Sequence, residues 1–135
     1  MMLGLNHETR NELGKAQARY ETILKLNPKF VPASNNLAWV IVQQDGNLDV
    51  ALSHAQTARE GSPEDPYIAD TLGWIYYKKN TNLLAASLLK EAVEKLPNEP
   101  EVHFHYGMAL AKGNQASDAK RSLQTALQLK ADFPG

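Results

Sequence analysis

The sequence predicts an all-α protein built of antiparallel helix-turn-helix hairpins, and three rows of recurring residues carry that prediction. Pro28, Pro63 and Pro97 lie 35 and 34 residues apart, each behind an apolar stretch of helical periodicity. Proline lacks the amide and clashes with the preceding turn, so each marks a helix end. Ala16, Ala51, Ala85 and Ala119 recur at 35, 34 and 34, each twelve residues before one of those prolines or, in the last case, before Ala131. Gly4, Ala38, Gly73 and Gly107 form the third row, preceded by the larger Leu3, Leu37, Leu72 and Tyr106. A fixed period in this range signifies a repeat array in which each unit is one supersecondary element.

In the first unit, 1–29, the helix over 13–26 is whole, while Leu3-Gly4 in frame leaves only a remnant of the helix before it. In the second, 30–65, helices over 30–44 and 48–60 flank Asp45-Gly46-Asn47, three turn-forming residues. The third, 66–99, holds helices over 67–79 and 82–95, and the fourth, 100–135, holds 101–112 and 116–130 around Gly113-Asn114. Antiparallel helices approach closely only where a side chain is nearly absent, which places the Ala16, Ala51, Ala85 and Ala119 row at the hairpin crossings. Ala58, Ala92 and Ala126, with Ile23 in the first unit, lie two turns further along the same face and are expected to meet the next hairpin. The chain reads as one domain, 1–135. Its shortened first unit, and a last stretch without a polar capping helix, make it look like a piece of a longer array.

Leu72-Gly73-Trp74-Ile75-Tyr76, followed by Ala85, Leu89, Ala92 and Pro97, resembles the tetratricopeptide repeat. That family carries Trp-x-x-Leu-Gly-x-x-Tyr in its first helix, Ala-x-x-x-Phe in its second and a closing proline. The departures are mild: the Trp slot holds Ser34, Ala69 and His103, and the Phe slot holds Tyr20, Ala55, Leu89 and Leu123. The resemblance covers essentially the whole chain, about three and a half units. It implies a right-handed α-solenoid whose first helices line a concave side that commonly meets a peptide or protein ligand.

On each first helix the residue after the small one points about 100° away from it, and its neighbours one turn before and after extend it into a second stripe. That stripe holds Asn35, Trp39 and Gln43, then Asp70, Trp74, Tyr77 and Lys78, then Phe104, Met108 and Lys112. Trp39, Trp74 and Met108 are expected to form a ladder. Aromatic and apolar side chains on a face not needed for hairpin packing mark an interaction surface, and Trp and Tyr dominate binding hot spots. The expected partner is an apolar or amphipathic protein segment held in the groove. The competing structural reading has Trp39 and Trp74 filling the wedge between adjacent first helices. A further alternative is a homo-oligomer formed through the terminal repeats, since a repeat edge presents apolar surface.

Composition narrows the function classes. A chain of 135 residues that is 43% apolar and 21% charged can bury a core without staples. Fourteen Lys and Arg against fifteen Asp and Glu give a formal charge of -1, so no positive field draws nucleic acid or anionic membranes. No apolar run reaches the ~20 residues of a spanning helix, and the start lacks an export signal, so the cytoplasm is the default expectation. The lack of cysteine removes thiolate chemistry and cysteine metal sites.

Individual polar residues point the same way. His103 and His105 project about 200° apart on a helix and do not share an ion easily; His103 fills the Trp slot, where packing is its expected role, and His105, outside the stripe, is a further groove candidate. His7 and His54 have no converging acid or nucleophile. The glycines are scattered and build no phosphate loop. The carboxylate clamp of some family members would fall on Asn35, Trp39, Trp74, Glu101 and His105, which offer no pair of permanent cations. The acidic stretch Glu60 to Pro66 reads as a solvated turn between repeats. No cofactor, metal or catalytic constellation is expected; the chain reads as a binding module and not an enzyme.

Overall fold

The computed structural model describes residues 7–113 and 115–132, and every regular element among them is a helix. In order these are α1 His7–Leu26, α2 Val31–Gln43, α3 Leu48–Gly61, α4 Pro66–Lys78, α5 Asn82–Lys95, α6 Pro100–Lys112 and α7 Ala116–Asp132. The chain divides into two compact units, Met1–Thr71 and Leu72–Gly135, with the boundary inside α4. In the first, α2 packs on α3 and α1 on α2; in the second, α6 packs on α7 and α5 on α6.

The recurring prolines have a local cause. After α1, α3 and α5 a last helical bond closes the end: the amides of Asn27, Ser62 and Leu96 donate to the carbonyls of Ile23, Ala58 and Ala92 at 2.8, 2.9 and 2.8 Å. The carbonyls of Asn27, Ser62 and Leu96 then accept from the amides of Phe30, Asp65 and Glu99, closing a four-residue turn with proline in its second position. Proline's fixed φ suits that position and it has no amide to leave unpaired. Pro32, Pro66 and Pro100 then stand within the first two residues of α2, α4 and α6, where an amide would have no helical acceptor. In the acidic 60–66 stretch, Asp65 Oδ1 accepts the Tyr67 amide at 2.8 Å, so this turn also caps α4.

Inside the hairpins, two residues past the ends of α2 and α4, stand residues of positive φ, Asp45 at 55° and Asn80 at 64°. Left-handed backbone costs Asp and Asn little. The following amides, of Gly46 and Thr81, reach back to the carbonyls of Ile41 and Tyr76 at 2.8 and 2.9 Å. Thr81 is also the N-cap of α5, whereas the α2–α3 turn has one residue more, and there Asn47 serves as N-cap. Its Oδ1 accepts the amides of Asp49 and Val50 at 2.8 and 3.1 Å. That extra residue is why the period is 35 once and 34 thereafter.

Helix limits agree with the sequence to within two residues, apart from α1. The helix expected from residue 13 begins at His7 and runs unbroken through Gly14, whose missing side chain faces open space. The apolar pattern of the second helix begins only at Leu13, so its polar first turns gave no periodicity to read. Leu3-Gly4, Asn114 and 133–135 lie outside the described residues.

The two small-residue rows sit where close approach demands them. Ala51, Ala85 and Ala119 are buried, as are Ala58, Ala92 and Ala126, while Ala16 and Ile23 on α1 are half-buried. A Cβ on Gly73 would lie 2.6 Å from Leu89 Cγ, and one on Gly107 would lie 2.7 Å from Leu123 Cγ. Real carbon contacts need well over 3 Å, so in α4–α5 and α6–α7 the glycine admits the leucine in the Phe slot. The α2–α3 hairpin distributes the bulk differently: Ala38 replaces the glycine, Ala55 replaces the leucine, and both are fully buried. The Trp slot is filled three ways. Ala69 and Ser34 are enclosed, the Ser34 hydroxyl having no hydrogen-bond partner among the described residues. His103 donates from Nε2–H to the Pro97 carbonyl at 2.8 Å, tying α6 to the turn that precedes it.

This compensation is measurable. Gly73→Ala is expected to cost about 1–3 kcal/mol through overpacking, and Leu89→Ala ~2–5 kcal/mol through the cavity it leaves. The double variant is expected to lose clearly less than the sum, because the second change makes the room that the first needs. Urea unfolding monitored by circular dichroism checks this, and simple additivity would show that the two residues do not share one space.

Candidate functional site

Helical spacing assembles the candidate site. On α4, Trp74 with Tyr77 and Lys78 stand three and four residues apart and share a face; on α6, Phe104, Met108 and Lys112 do the same at steps of four. All six belong to the second unit. Trp74 stacks on Tyr77 with centroids 4.5 Å apart and planes 6° from parallel, and on His105 at 4.2 Å and 27°. Phe104 meets Trp74 at 6.2 Å in a tilted arrangement and His105 at 6.1 Å. Four aromatic rings from two helices thus form one cluster, with His105 as its buried floor and Trp74, Tyr77, Phe104 and Met108 half-buried. Such contacts add about 0.5–1.5 kcal/mol per pair beyond the area they bury, so the cluster also joins α4 to α6.

Two exposed lysines border it. Lys78 Nζ lies 5.4 Å from the Trp74 ring centroid, and Lys112 Nζ lies 4.1 Å from that of Tyr77. Lys112 also donates to the Tyr77 backbone carbonyl at 2.7 Å, crossing from the C-terminal end of α6 to that of α4. An ammonium there complements the negative end of the α4 dipole.

The remaining expected groove residues, Asn35, Trp39, Gln43 and Asp70, belong to the first unit and are half-buried. The neighbouring α2 residues Leu37, Ala38 and Ile41 are buried, as are Val40 and Val42. The Asn35 Oδ1 is enclosed and has no hydrogen-bond partner among the described residues. Elsewhere in this unit a cavity of about 300 Å³ opens beside the α2–α3 turn, lined by Gln17, Ile41, Gln44, Gly46, Asn47 and Val50. Across it Gln44 Nε2 donates to Gln17 Oε1 at 2.6 Å. It includes no ionisable side chain and none of the stripe residues. Among the described residues no group of three or more His, Asp or Glu is placed to hold a metal ion.

The tetratricopeptide-repeat sequence profile matches residues 1–66. Over those residues, just under half of the chain, the sequence is that of a tetratricopeptide-repeat protein. The chain is 27% identical over 100 residues to the TPR repeat-containing protein PA4667 of Pseudomonas aeruginosa, covering 74% of this chain and 17% of that one. To the general transcriptional corepressor ssn6 of Schizosaccharomyces pombe it is 23% identical, covering 98% of this chain and 13% of that protein. It therefore spans less than a fifth of either relative. Among solved structures, MamA 41-end from Desulfovibrio magneticus RS-1 superposes with a TM-score of 0.75 at 19% identity, covering 93% of this chain and 70% of that one. A crystal structure of MamA gives 0.75 at 16% identity, covering 98% and 77%. The tetratricopeptide fold implies a scaffold for protein–protein contact, and no described helix is long and apolar enough to cross a membrane.

Within the tetratricopeptide frame, His105 is the site residue that the stripe omitted. It stands two places before Gly107, in register with Asn36 and Thr71, and points sideways at Trp74 of the neighbouring first helix. Spacing within one helix does not show a sideways contact; an aromatic at that register position is the available signal. Away from the cluster, burial first, then the carboxylates of Asp118 and Glu94, raise the Tyr106 hydroxyl above its ordinary pKa. His54 on α3 is lowered below 6.5 by burial, opposed by the Glu21 carboxylate on α1. A histidine that resists protonation when folded supports stability above its unfolded pKa and loses that support as pH falls through the folded value. Folding stability is therefore expected to drop as the pH is lowered from about 6.5, and His54→Gln should reduce that drop. Unfolding midpoints across the pH series check this, and an unchanged profile in the variant would contradict it.

Proposed function

We propose that this chain is a peptide-binding scaffold module, with the second-unit stripe of Trp74, Tyr77, Lys78, Phe104, Met108 and Lys112 as its contact surface. The observation that carries this reading is the aromatic cluster of Trp74, Tyr77 and Phe104 on His105, half-buried and bordered by two exposed lysines. An aromatic surface that is rigid before the ligand arrives loses little side-chain entropy on binding. Such rings, ordered but still reachable, are the residue types that act as interface anchors. An apolar or amphipathic segment can lay its apolar side chains on them. Asn35, Trp39 and Gln43 offer a corresponding stripe in the first unit, to be tested separately.

The experiment is selection of a random-peptide library on the wild-type chain and on Trp74→Ala, with Trp39→Ala beside it and circular dichroism confirming that each is folded. Peptides enriched on the wild type and lost on folded Trp74→Ala are the expected result; peptides retained equally by Trp74→Ala would refute this surface. A second reading, association with another copy of the chain, is favoured by Leu127 on α7, which is 70% exposed. It is expected to give a mass that rises with concentration in sedimentation and falls back in Leu127→Glu, and a constant monomer mass would eliminate it.

A further inference from the structure

We infer that the segment bound by the second unit is acidic: a protein stretch with an aromatic or aliphatic anchor flanked by Asp or Glu, its carboxylates meeting Lys78 and Lys112. This rests on the peptide-binding reading above and adds the chemistry of the ligand to it. Lys78 closes α4 and Lys112 closes α6, so both ammonium groups stand at the same ends of neighbouring helices, with the aromatic cluster beside them. Both side chains are exposed. Lys112 gives one hydrogen bond to the Tyr77 carbonyl, and an ammonium has three donors, so it can be held in place by the backbone and still receive a carboxylate.

The arrangement also decides against other ligands. Aromatic clusters can capture cations, but here a protein ammonium already lies 4.1 Å from the Tyr77 centroid and another 5.4 Å from that of Trp74, so a cationic ligand would meet like charge. A neutral apolar segment would use the rings and leave both lysines without function in binding. Aromatics beside lysines can also stack single-stranded nucleic acid, but that mode needs a positive groove along the phosphate backbone. The whole chain carries a formal charge of -1, and Glu101 stands exposed at the opposite end of α6. Two local positive charges beside an apolar face match an amphipathic acidic peptide better than a polyanion.

The test is to select the same random-peptide library on the full chain and on Lys78→Gln/Lys112→Gln, counting Asp and Glu in the enriched peptides against the starting pool. The wild type is expected to enrich acid-rich peptides with an aromatic or aliphatic anchor, and the lysine variant to keep the anchor and lose the acid excess. One enriched acidic peptide is then titrated by anisotropy. Its affinity should fall about five- to tenfold on the variant, the size expected of two exposed ion pairs, and about as much when its acids are changed to amides. Combining the two changes should add little. Enrichment of apolar peptides with no acid excess, lost on Trp74→Ala, would overturn the acidic ligand and leave the binding surface standing. No enrichment on the wild type would sink both readings. Labelled oligothymidylate bound by the wild type and released by the lysine variant would replace the peptide with single-stranded nucleic acid.

Discussion

Everything in this fold depends on how closely the two helices of a hairpin can approach. At Gly73 and Gly107 a leucine of the second helix occupies the space that a Cβ would need. Because that side chain is accepted into the first helix, Ala85 and Ala119 are buried beside it, and the stripe about 100° round the first helix is left half-exposed. The stripe bearing Trp74, Phe104 and Met108 is therefore a by-product of packing: what the crossing does not use is left for other contacts. In the α2–α3 hairpin the crossing is made by two alanines instead, with the same outcome for Leu37 and Ile41, which are buried while Trp39 is only half-buried.

The architecture was readable because the residues that specify it act locally or at fixed steps. Proline in the second place of a turn, small residues at crossings and a capping Asn are each required by backbone geometry within a few positions, and α5 falls on the limits read from its apolar pattern, Asn82–Lys95. Where the local signal was absent the reading failed, as at the start of α1, whose first turns from His7 to Glu12 are polar. The substitutions in the Trp slot did not disturb the frame because the slot can be filled by different means. His103 does so with a hydrogen bond to the adjoining turn, whereas the enclosed Ser34 hydroxyl has no partner among the described residues.

The candidate surface was legible in outline and not in its interior. Period alone separates the face bearing Trp74 from the face bearing Gly73. It does not reveal that His105 passes beneath Trp74, because that contact links two helices about 30 residues apart. Nor does it show that Lys112 spans to the Tyr77 carbonyl, since a lysine's reach depends on where the neighbouring helix ends. The sequence left Trp74 either as groove wall or as wedge, and the geometry explains why the two are hard to separate. A ring stacked on two others and still reachable from solvent contributes to cohesion and to surface together.

The α2–α3 turn differs from its α4–α5 counterpart in one respect with practical use. Gly46 ends one helix and Asn47 begins the next, so each task has its own residue, whereas Thr81 performs both. A protein engineer seeking a site for a fluorescent or affinity tag would cut between Gly46 and Asn47. Additional chain there lengthens a joint whose two ends are independently secured, while the same insertion beside Thr81 would separate functions held by a single amino acid.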